Sequence, residues 1–600
     1  MIRSSGIIMH ISSLDEKYGI GTFGSAAYKF ADFLNRAGQK YWQVLPLGHT
    51  GYGDSPYQSF SAFAGNPYFI DLDILEEEGL LKKDDYVNID FGTDPEYIDF
   101  GKLFKQRIAV LEIAYENSKG KLDKQLDKFK EKENLWLEDY ALFMAIKEHT
   151  GNIAYVDWED DIKLRKPEAI IKYKTELKDR IEFWNFIQYE FFRQWMSLKA
   201  YTNSLGIEII GDIPIYVSAD SADAWANPKM FKLDKDRNPT VVAGCPPDAF
   251  SKTGQLWGNP IYDWEYLKDT EYRWWIDRLR ESLKLFDIVR IDHFRGFESY
   301  WEVPFGENTA INGEWVKGPK LRLFKAIEKE LGDIKIIAED LGYLTPETVE
   351  FLQDTGYPGM KVLQFAFDSR EESDYIPHIY DKNCIVYTGT HDNDTIMGWM
   401  EETGNKDDIN HAKEYLHLTK EEGLNWGFIR GAWASNGNVA LTQLQDLLGL
   451  GNEARMNYPS TLGENWIWRV KPGVITNKLA DKLYKMTKLY GRCKEGAVIT
   501  KRNLNKEDIL KSMATYAKVN YGRNINTATD KELLNCLGLA LREQMVDDIE
   551  ATENLYNTVR KAYYFSAEYL MGRALGNNLI SLGLYDEIKE LLEELGIDIN

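Results

Sequence analysis

The chain has 600 residues, enough for about four domains of average size, and its 72 basic against 95 acidic residues give a net charge of −23. This charge argues against a nucleic acid or an anionic membrane as the partner, because both need a dense basic surface. Hydrophobic residues make up 44% and aromatic residues 13% of the chain, with 17 Trp, which excludes a disordered chain and provides flat faces for ligand stacking.

Short β-rich apolar runs alternate with amphipathic helical stretches along most of the chain. The runs are 42–46, 207–212, 287–292, 335–340, 362–367 and 384–392. This alternation is typical of βα units around a parallel sheet. A closed (β/α)₈ TIM barrel, an α/β fold, is the simplest container for so many units, and it brings the carboxyl ends of its strands together at one mouth.

Two segments depart from this alternation. The helical, charge-rich block 101–150 is too long for an ordinary connection and is predicted to be an inserted subdomain. The segment 491–508 is polar and turn-prone, and no Trp follows Trp468, so we predict a barrel domain over 1–498 and a mainly α-helical segment over 506–600. In that segment, residues with helical spacing predict one apolar face, namely Leu533, Leu534, Leu537, Leu541 and Met545.

Cysteine usage and hydropathy predict a cytoplasmic protein. The four cysteines are far apart and form no CxxC or Cys/His cluster, so neither a disulfide framework nor a metal site is indicated. The N-terminal residues lack the apolar stretch of a signal peptide, and no later run approaches the roughly 18 apolar residues of a membrane span.

Three carboxylates follow apolar runs and precede loops that contain Gly or Asn: Asp292, Glu339 and Asp392. Converging carboxylates suit glycoside chemistry, in which one is the nucleophile and another is first the general acid and then the base. The alternative is that each caps the helix that follows, which is the commoner role for a single Asp at such a position. Three on successive predicted strands favour catalysis.

Basic side chains accompany these carboxylates. Arg290 precedes Asp292 by two residues, and the two-residue period of a strand places both side chains on one face. A guanidinium there would hold Asp292 ionised, as a nucleophile requires, whereas a surface ion pair would contribute little. His293 and His391 each adjoin a carboxylate, where a histidine is as often a packed or capping residue as a functional one.

Three segments, RIDHFRGF (290–297), AEDLG (338–342) and GTHDNDT (389–395), resemble the catalytic motifs of the amylomaltase family, the 4-α-glucanotransferases or disproportionating enzymes. Other segments resemble the same family in the same order, so the resemblance covers about residues 1–495. These are YGIGTFG, WQVLPLGHTGYGDSPYQSFSAFAGNP, GDIPIYV, GCPPDAFSKTGQLWGNPIY and ENWIWR. One departure is Ser460, where the family more often shows Gly.

The resemblance implies a role for each matching residue. Asp292 would be the nucleophile, Glu339 the general acid and base, and Asp392 the stabiliser of the transition state. The residues implied to contact sugar, to orient the carboxylates or to line the groove are Arg290, His293, His391, Asp212, Asn457, Tyr57 and Trp257.

The resemblance also implies a reaction. Segments of α-1,4-glucan would pass between maltodextrins and to glucose through a covalent glycosyl-enzyme, without metal or organic cofactor, because side chains supply acid, base and nucleophile. Two alternatives stay open: an α-glucan hydrolase, and a noncatalytic glucan-binding scaffold.

The segment 562–586, with the helical stretch before it, resembles the N-terminal region of α-glucan phosphorylase. The resemblance covers only about ninety residues of a much longer family pattern and includes no phosphorylase site. A truncated fusion, the front of a larger bifunctional glucanotransferase-phosphorylase and a retained helical module that packs on the transferase are all compatible with it. The simplest interpretation is a partial remnant without activity.

Overall fold

The computed structural model describes residues 1–51, 53–247, 251–342, 344–370, 373–459, 461, 463–493, 506–556 and 585–594. The chain divides into two compact units, Met1–Gly496 and Ala497–Asn600. The division falls within the polar segment 491–508.

The described residues of the first unit contain twelve strands. They are β1 (Ser4–Ile8), β2 (Tyr41–Gln43), β3 (Glu208–Pro214), β4 (Val241–Cys245), β5 (Gln255–Pro260), β6 (Ile288–Asp292), β7 (Ser299–Pro304), β8 (Glu314–Lys317), β9 (Ile336–Ala338), β10 (Gly359–Val362), β11 (Cys384–Tyr387) and β12 (Val439–Gln443).

Eight of these strands form a parallel barrel in the order β10-β11-β12-β1-β2-β3-β6-β9. The two ends of this order meet, because the amide of Ala338, the last residue of β9, donates to the carbonyl of Pro358, just before β10, at 3.0 Å. The predicted (β/α)₈ TIM barrel is therefore confirmed.

The strand period of two separates the buried residues into two sets. One set fills the interior of the barrel: Ile8, Tyr41, Ile210, Ile288, Ile337, Met360, Val362, Ile385, Tyr387, Val439 and Leu441. The alternate residues, such as Ile7, Trp42, Ile209 and Val289, belong to the larger core that includes the surrounding helices. Both faces of each strand are thus buried, as parallel sheets require.

Three of the six predicted runs, 287–292, 335–340 and 384–392, contain a whole barrel strand, and the runs 42–46 and 207–212 overlap β2 and β3. The run 362–367 is wrong in its bounds. β10 ends at Val362, and Leu363–Phe367 form a 3₁₀ turn instead. Sequence patterning also misses β1 and β12. β1 begins with two serines and Gly6, so it lacks the apolar run that predicts a strand. A Cβ at Gly6 would lie 2.4 Å from the carbonyl oxygen of Tyr41, and the close packing of the two strands therefore requires glycine there.

Eighteen α-helices surround the strands in the described residues of this unit. Before β3 they are α1 (Ser25–Arg36), α2 (Leu72–Glu77), α3 (Phe100–Ser118), α4 (Asp123–Lys132), α5 (Leu137–His149), α6 (Asp160–Lys163), α7 (Pro167–Glu176) and α8 (Lys178–Ser204). After β3 they are α9 (Ala222–Ala226), α10 (Trp264–Asp269), α11 (Arg273–Leu285), α12 (Leu321–Leu331), α13 (Pro346–Thr355), α14 (Ile396–Gly398), α15 (Lys406–Tyr415), α16 (Leu424–Ala434), α17 (Leu444–Leu448) and α18 (Asn477–Leu489).

The block 101–150 holds α3, α4 and α5, and the helical region continues as far as Ser204. It therefore occupies most of the connection between β2 and β3. α5 and α8 pack together, and α8 is buried on several sides, which suits a helix enclosed by other elements.

The four remaining strands form a small antiparallel sheet in the order β5-β4-β7-β8. β4 and β5 precede the barrel strand β6 in the chain, and β7 and β8 follow it. This sheet contacts the 3₁₀ turn Phe294–Phe297 directly after β6.

The described part of the second unit contains α19 (Lys506–Tyr521), α20 (Asp530–Tyr556) and α21 (Tyr585–Glu594). An apolar cluster joins them: Ile509, Met513, Ala517, Leu533, Cys536, Leu537, Ala540, Leu541, Ile588, Leu591 and Leu592. Leu534 was predicted on the buried face and is 53% exposed, because the face that packs is centred on Leu533, Leu537 and Ala540. The side chain of Met545 and most of the phosphorylase-like segment 562–586 lie outside the described residues.

Within the part of the chain that the structure describes, no helix is long and apolar enough to cross a membrane.

Candidate active site

The three predicted carboxylates lie at the carboxyl ends of barrel strands. Asp292 is the last residue of β6, Glu339 follows β9 directly, and Asp392 lies in the loop after β11. β6 and β9 are parallel neighbours in which Ile291 pairs with Ala338, so Asp292 and Glu339 follow paired residues at the same level of the barrel. The fold thus brings these groups to one mouth.

None of the three serves as the side-chain cap of the following α-helix. Thr345 caps α13, and Thr395 caps α14 through a hydrogen bond from the amide of Gly398. The turn after Asp292 begins at His293 without a side-chain cap. The alternative role as helix caps is therefore wrong for Asp292, Glu339 and Asp392.

Arg290 joins two acidic groups beneath the mouth. Its Nη1 lies 2.5 Å from Oδ2 of Asp212, and its Nη2 lies 3.0 Å from Oδ1 of Asp292. Its Nε donates to the sulfur of Met360 at 3.4 Å. Arg290 and Asp292 share a face of β6 as their spacing predicts, and the guanidinium is fixed on three sides.

Asp212 lies below the surface of the mouth. Its side chain is fully buried, and Oδ2 accepts a second hydrogen bond from the hydroxyl of Tyr57 at 2.9 Å. No described residue forms a hydrogen bond with its other oxygen, and the residue borders a partly open cavity of about 50 Å³. Asp212 therefore contacts the groove through Arg290 and Tyr57.

Glu339 is held by backbone amides. Its two oxygens accept from the N–H groups of His293 and Leu341, each at 2.8 Å, which leaves each oxygen a lone pair for a proton. His293 adopts a left-handed conformation with φ of 54°, which is uncommon outside glycine. Burial and the nearby Asp292 carboxylate raise the pKa of Glu339 to about 7, although Arg290 and the two amides oppose this.

Asp292 loses its proton before Glu339 does. Burial raises the pKa of Asp292 to about 6, while Arg290 acts in the opposite direction. Near neutral pH Asp292 therefore ionises more readily than Glu339, which keeps its proton to higher pH. The guanidinium keeps Asp292 ionised near neutral pH and does not bring its pKa to the usual range of an aspartate.

Asp392 has a different environment. Its Oδ2 lies 3.3 Å from Nε2 of His391, and its Oδ1 accepts from Nδ2 of Asn457 at 2.6 Å. Burial opposes ionisation, but His391 and Asn457 outweigh it and lower the pKa of Asp392 to about 2. The pKa of His391 is raised in turn, since Asp392 outweighs the burial of the ring. The pair is thus a fixed negative group beside a histidine whose protonation that group favours.

Aromatic rings line the groove above these groups. Tyr57 stacks on His391 with ring centroids 5.1 Å apart and an interplanar angle of 19°. Trp257 meets His293 edge to face at 4.8 Å. All seven residues predicted to contact sugar or to orient the carboxylates therefore contact one of the three predicted catalytic carboxylates, or contact a residue that does.

Sequence patterns assign no role to three further residues at the site. Trp466 packs against both Tyr57 and His391 with ring centroids 5.8 Å apart, and its φ of 66° is rare for so large a side chain. Arg455 donates to the carbonyl of Asp392 at 2.5 Å, and Met360 contacts Arg290. Trp466 lies in the ENWIWR segment, and the resemblance of that segment to the family could have identified it. The contacts of Arg455 and Met360 depend on the fold, and no sequence pattern indicates them. Ser460 lies outside the described residues.

Comparisons with known proteins show the family of the chain. The family model described as 4-alpha-glucanotransferase, glycoside hydrolase family 77, matches residues 9–476. The chain is 60% identical over 486 residues to a 4-alpha-glucanotransferase of Clostridium butyricum, a match that covers 81% of this chain and 100% of the relative. It is 46% identical over 496 residues to that of Thermus thermophilus, covering 81% and 98%.

A solved structure shows the same fold. Amylomaltase from Streptococcus agalactiae in complex with acarbose superposes with a TM-score of 0.80 at 46% identity, and the match covers 82% of this chain and 100% of that one. Amylomaltase from Corynebacterium glutamicum, at 18% identity and a TM-score of 0.67, supports the fold alone. The chain belongs to the 4-alpha-glucanotransferase family, also called amylomaltase.

Proposed function

We propose that the barrel transfers segments of α-1,4-glucan between maltodextrins, and to glucose, by a retaining double displacement at Asp292 and Glu339. The observation that carries this assignment is the pair itself. Arg290 favours the ionised form of Asp292, while burial and the Asp292 carboxylate favour the protonated form of Glu339, which directly follows the neighbouring strand β9. A nucleophile and a general acid need these opposite protonation states.

In the first step, Glu339 gives its proton to the oxygen that bridges two glucose units. The bond from that oxygen to the anomeric carbon breaks, and an oxygen of Asp292 forms a bond to the same carbon from the opposite face. The shortened glucan leaves as a free alcohol, and the remaining segment becomes an ester of Asp292. Glu339 is then a carboxylate.

In the second step, Glu339 accepts the proton of a hydroxyl on an incoming glucan or glucose. That oxygen attacks the anomeric carbon, the ester bond to Asp292 breaks, and the original protonation states return. Two inversions at one carbon retain the α configuration. Acid, base and nucleophile are side chains, so this chemistry calls for no metal or organic cofactor.

The surrounding residues support these steps. Asp392 remains ionised through the pH range of activity and can stabilise positive charge on the sugar ring in the transition state. His391 and Asn457 orient Asp392, and Arg290 orients Asp292. Asp212 acts through Arg290 and Tyr57, since its own side chain is buried. Tyr57, His293 and Trp257 form the walls against which a sugar would lie.

Transfer requires that an acceptor glucan, and not water, reaches the ester. The aromatic walls at Tyr57, Trp257 and Trp466 exclude water and provide stacking faces for the acceptor. The test is incubation with maltotriose without phosphate, followed by sizing of the products. Glucose with a ladder of longer maltodextrins supports transfer, whereas new reducing ends in proportion to turnover would indicate the hydrolase instead.

We further infer that the protein works in a reducing compartment, the cytoplasm, because its four cysteines lie far apart in the chain and form no CxxC or Cys/His cluster. For the second unit, we propose a noncatalytic helical module derived from the N-terminal region of an α-glucan phosphorylase. The apolar cluster of α19, α20 and α21 supports this, since a core alone suffices for a module that performs no chemistry.

A further inference from the structure

A Trp side chain is exposed close to the active site and has no part in the mechanism above. Trp315 lies on β8 at the edge of the small antiparallel sheet and is 44% exposed. Large aromatic rings are usually well buried, and an exposed apolar cluster often marks a binding site. Three more exposed apolar side chains belong to this sheet and its β7–β8 connection: Leu256, Phe305 and Ile311.

Trp315 is held in place on two sides. The guanidinium carbon of Arg295 lies 4.2 Å from the centroid of its ring. Trp301, the residue paired with Trp315 on β7, meets it edge to face at 5.3 Å. The indole N–H of Trp301 donates to the carbonyl of Ala310 at 2.9 Å, which fixes this second ring. Trp315 is thus an ordered ring with an accessible surface.

The strand that carries Trp315 is joined to the catalytic strand. Arg295 lies in the 3₁₀ turn that directly follows Asp292 and His293. Nζ of Lys317, at the end of β8, lies 2.8 Å from Oε1 of the buried Glu298, and the amide of Gly318 donates to the carbonyl of Glu298 at 2.8 Å. One short turn therefore connects the nucleophile to this exposed ring.

The same sheet reaches the active site at its opposite edge. Trp257 on β5 contacts His293, and Trp315 on β8 contacts Arg295, two residues further along the turn. Two Trp rings from the two edges of one sheet thus flank the segment that follows the nucleophile. An α-glucan that leaves the groove over this sheet would pass from one ring to the other.

We propose that Trp315 is an outer binding residue for α-glucan chains that extend beyond the catalytic groove. The ligand is an uncharged chain of glucose rings, whose apolar faces stack on indole. This inference rests on the glucanotransferase function proposed above. Trp315 contributes to the binding of long glucans, while short substrates such as maltotriose do not reach it.

The test compares kcat/KM for maltotriose and for amylose in Trp315→Ala and in the wild-type protein. We expect a loss of about fivefold with amylose, equivalent to about 1 kcal/mol, and a change below about twofold with maltotriose. Trp315→Phe keeps a ring and should restore most of the activity with amylose. Phe104→Ala removes an aromatic ring that is 60% exposed on α3 and should change neither rate.

An equal loss with both substrates would overturn the proposal, because it would mean that Trp315 only supports the turn after Asp292. No change with amylose would also overturn it. If the wild-type protein fails to redistribute maltotriose, the proposed function fails instead, so the two failures are distinguishable. A second measurement is the affinity for amylose of the inactive variant Asp292→Asn, alone and combined with Trp315→Ala. The double variant should bind amylose more weakly than Asp292→Asn alone.

Discussion

The two units of the chain differ in what they bury. At the mouth of the barrel, Arg290 is 3% exposed and contacts the buried carboxylate of Asp212 as well as Asp292. In the described part of the second unit, the buried side chains are apolar, and no buried polar or charged side chain lies beyond Arg492. Burying charge destabilises a fold unless the charge is paired. The barrel thus buries paired charges at its candidate active site, whereas the described part of the second unit buries only apolar side chains.

The sharpest test of this difference is to remove the nucleophile. We expect Asp292→Asn to lower the rate of glucose release from maltotriose by about 10⁴-fold or more, because no ester can form. Leu537→Asp, which places a charge in the core of the second unit, should leave the rate within about twofold. Near-normal activity in Asp292→Asn would contradict the assigned mechanism.

The second test removes the cation that the buried carboxylates share. Arg290→Met should cost about 3 kcal/mol of unfolding free energy and about 10²-fold in kcat, since it leaves Asp212 and Asp292 without their partner. It should also raise the pKa of Asp292, because Arg290 opposes the effect of burial. The acidic limb of the pH profile should therefore move to higher pH. Arg290→Lys keeps the positive charge but loses the planar guanidinium that contacts both carboxylates, and it should shift this limb less.

The pH dependence of the wild-type protein is a milder test of the same pair. Activity needs Asp292 ionised and Glu339 protonated, with pKa values of about 6 and about 7. Below pH 6 the nucleophile gains a proton, and above pH 7 the acid loses its proton, so kcat/KM should fall on both sides, approaching tenfold per pH unit. Asp392, with a pKa of about 2, should add no limb in this range. A flat profile from pH 5 to pH 9 would contradict the assigned roles.

Much of this site could be predicted because strand-end residues converge in a closed parallel barrel whatever their separation in the chain. Asp292, Glu339 and Asp392 follow from that rule and from local motifs. The supporting contacts could not be predicted. The sulfur of Met360 reaches Arg290 from a strand 70 residues away, and Arg455 reaches the carbonyl of Asp392 from a loop 63 residues away. These partners depend on register and loop geometry, and no local pattern records either.

The fold shows the same limit. Runs of apolar residues mark strands whose two faces are both buried, and they fail for β1, where Gly6 is set by the approach of the carbonyl of Tyr41. Helical spacing likewise misplaces the buried face of α20, because spacing alone does not show that Leu533 is buried and Leu534 is exposed. Neighbouring backbone and packing partners decide these positions.

The smallest expected effect belongs to removal of the second unit. Arg492 is fully buried and donates to the carbonyls of Ser4, Trp433, Ser435, Gly437 and Asn438, so the barrel holds the end of its own chain before the second unit begins. A protein truncated after Cys493 should retain maltotriose disproportionation within about twofold and should unfold cooperatively.

Limited proteolysis of the full chain should cut first in the polar segment 491–508. A loss of activity greater than about tenfold would mean that the barrel depends on the second unit. Arg492→Met should destabilise the truncated protein, since each of five carbonyls loses one of the hydrogen bonds that it accepts.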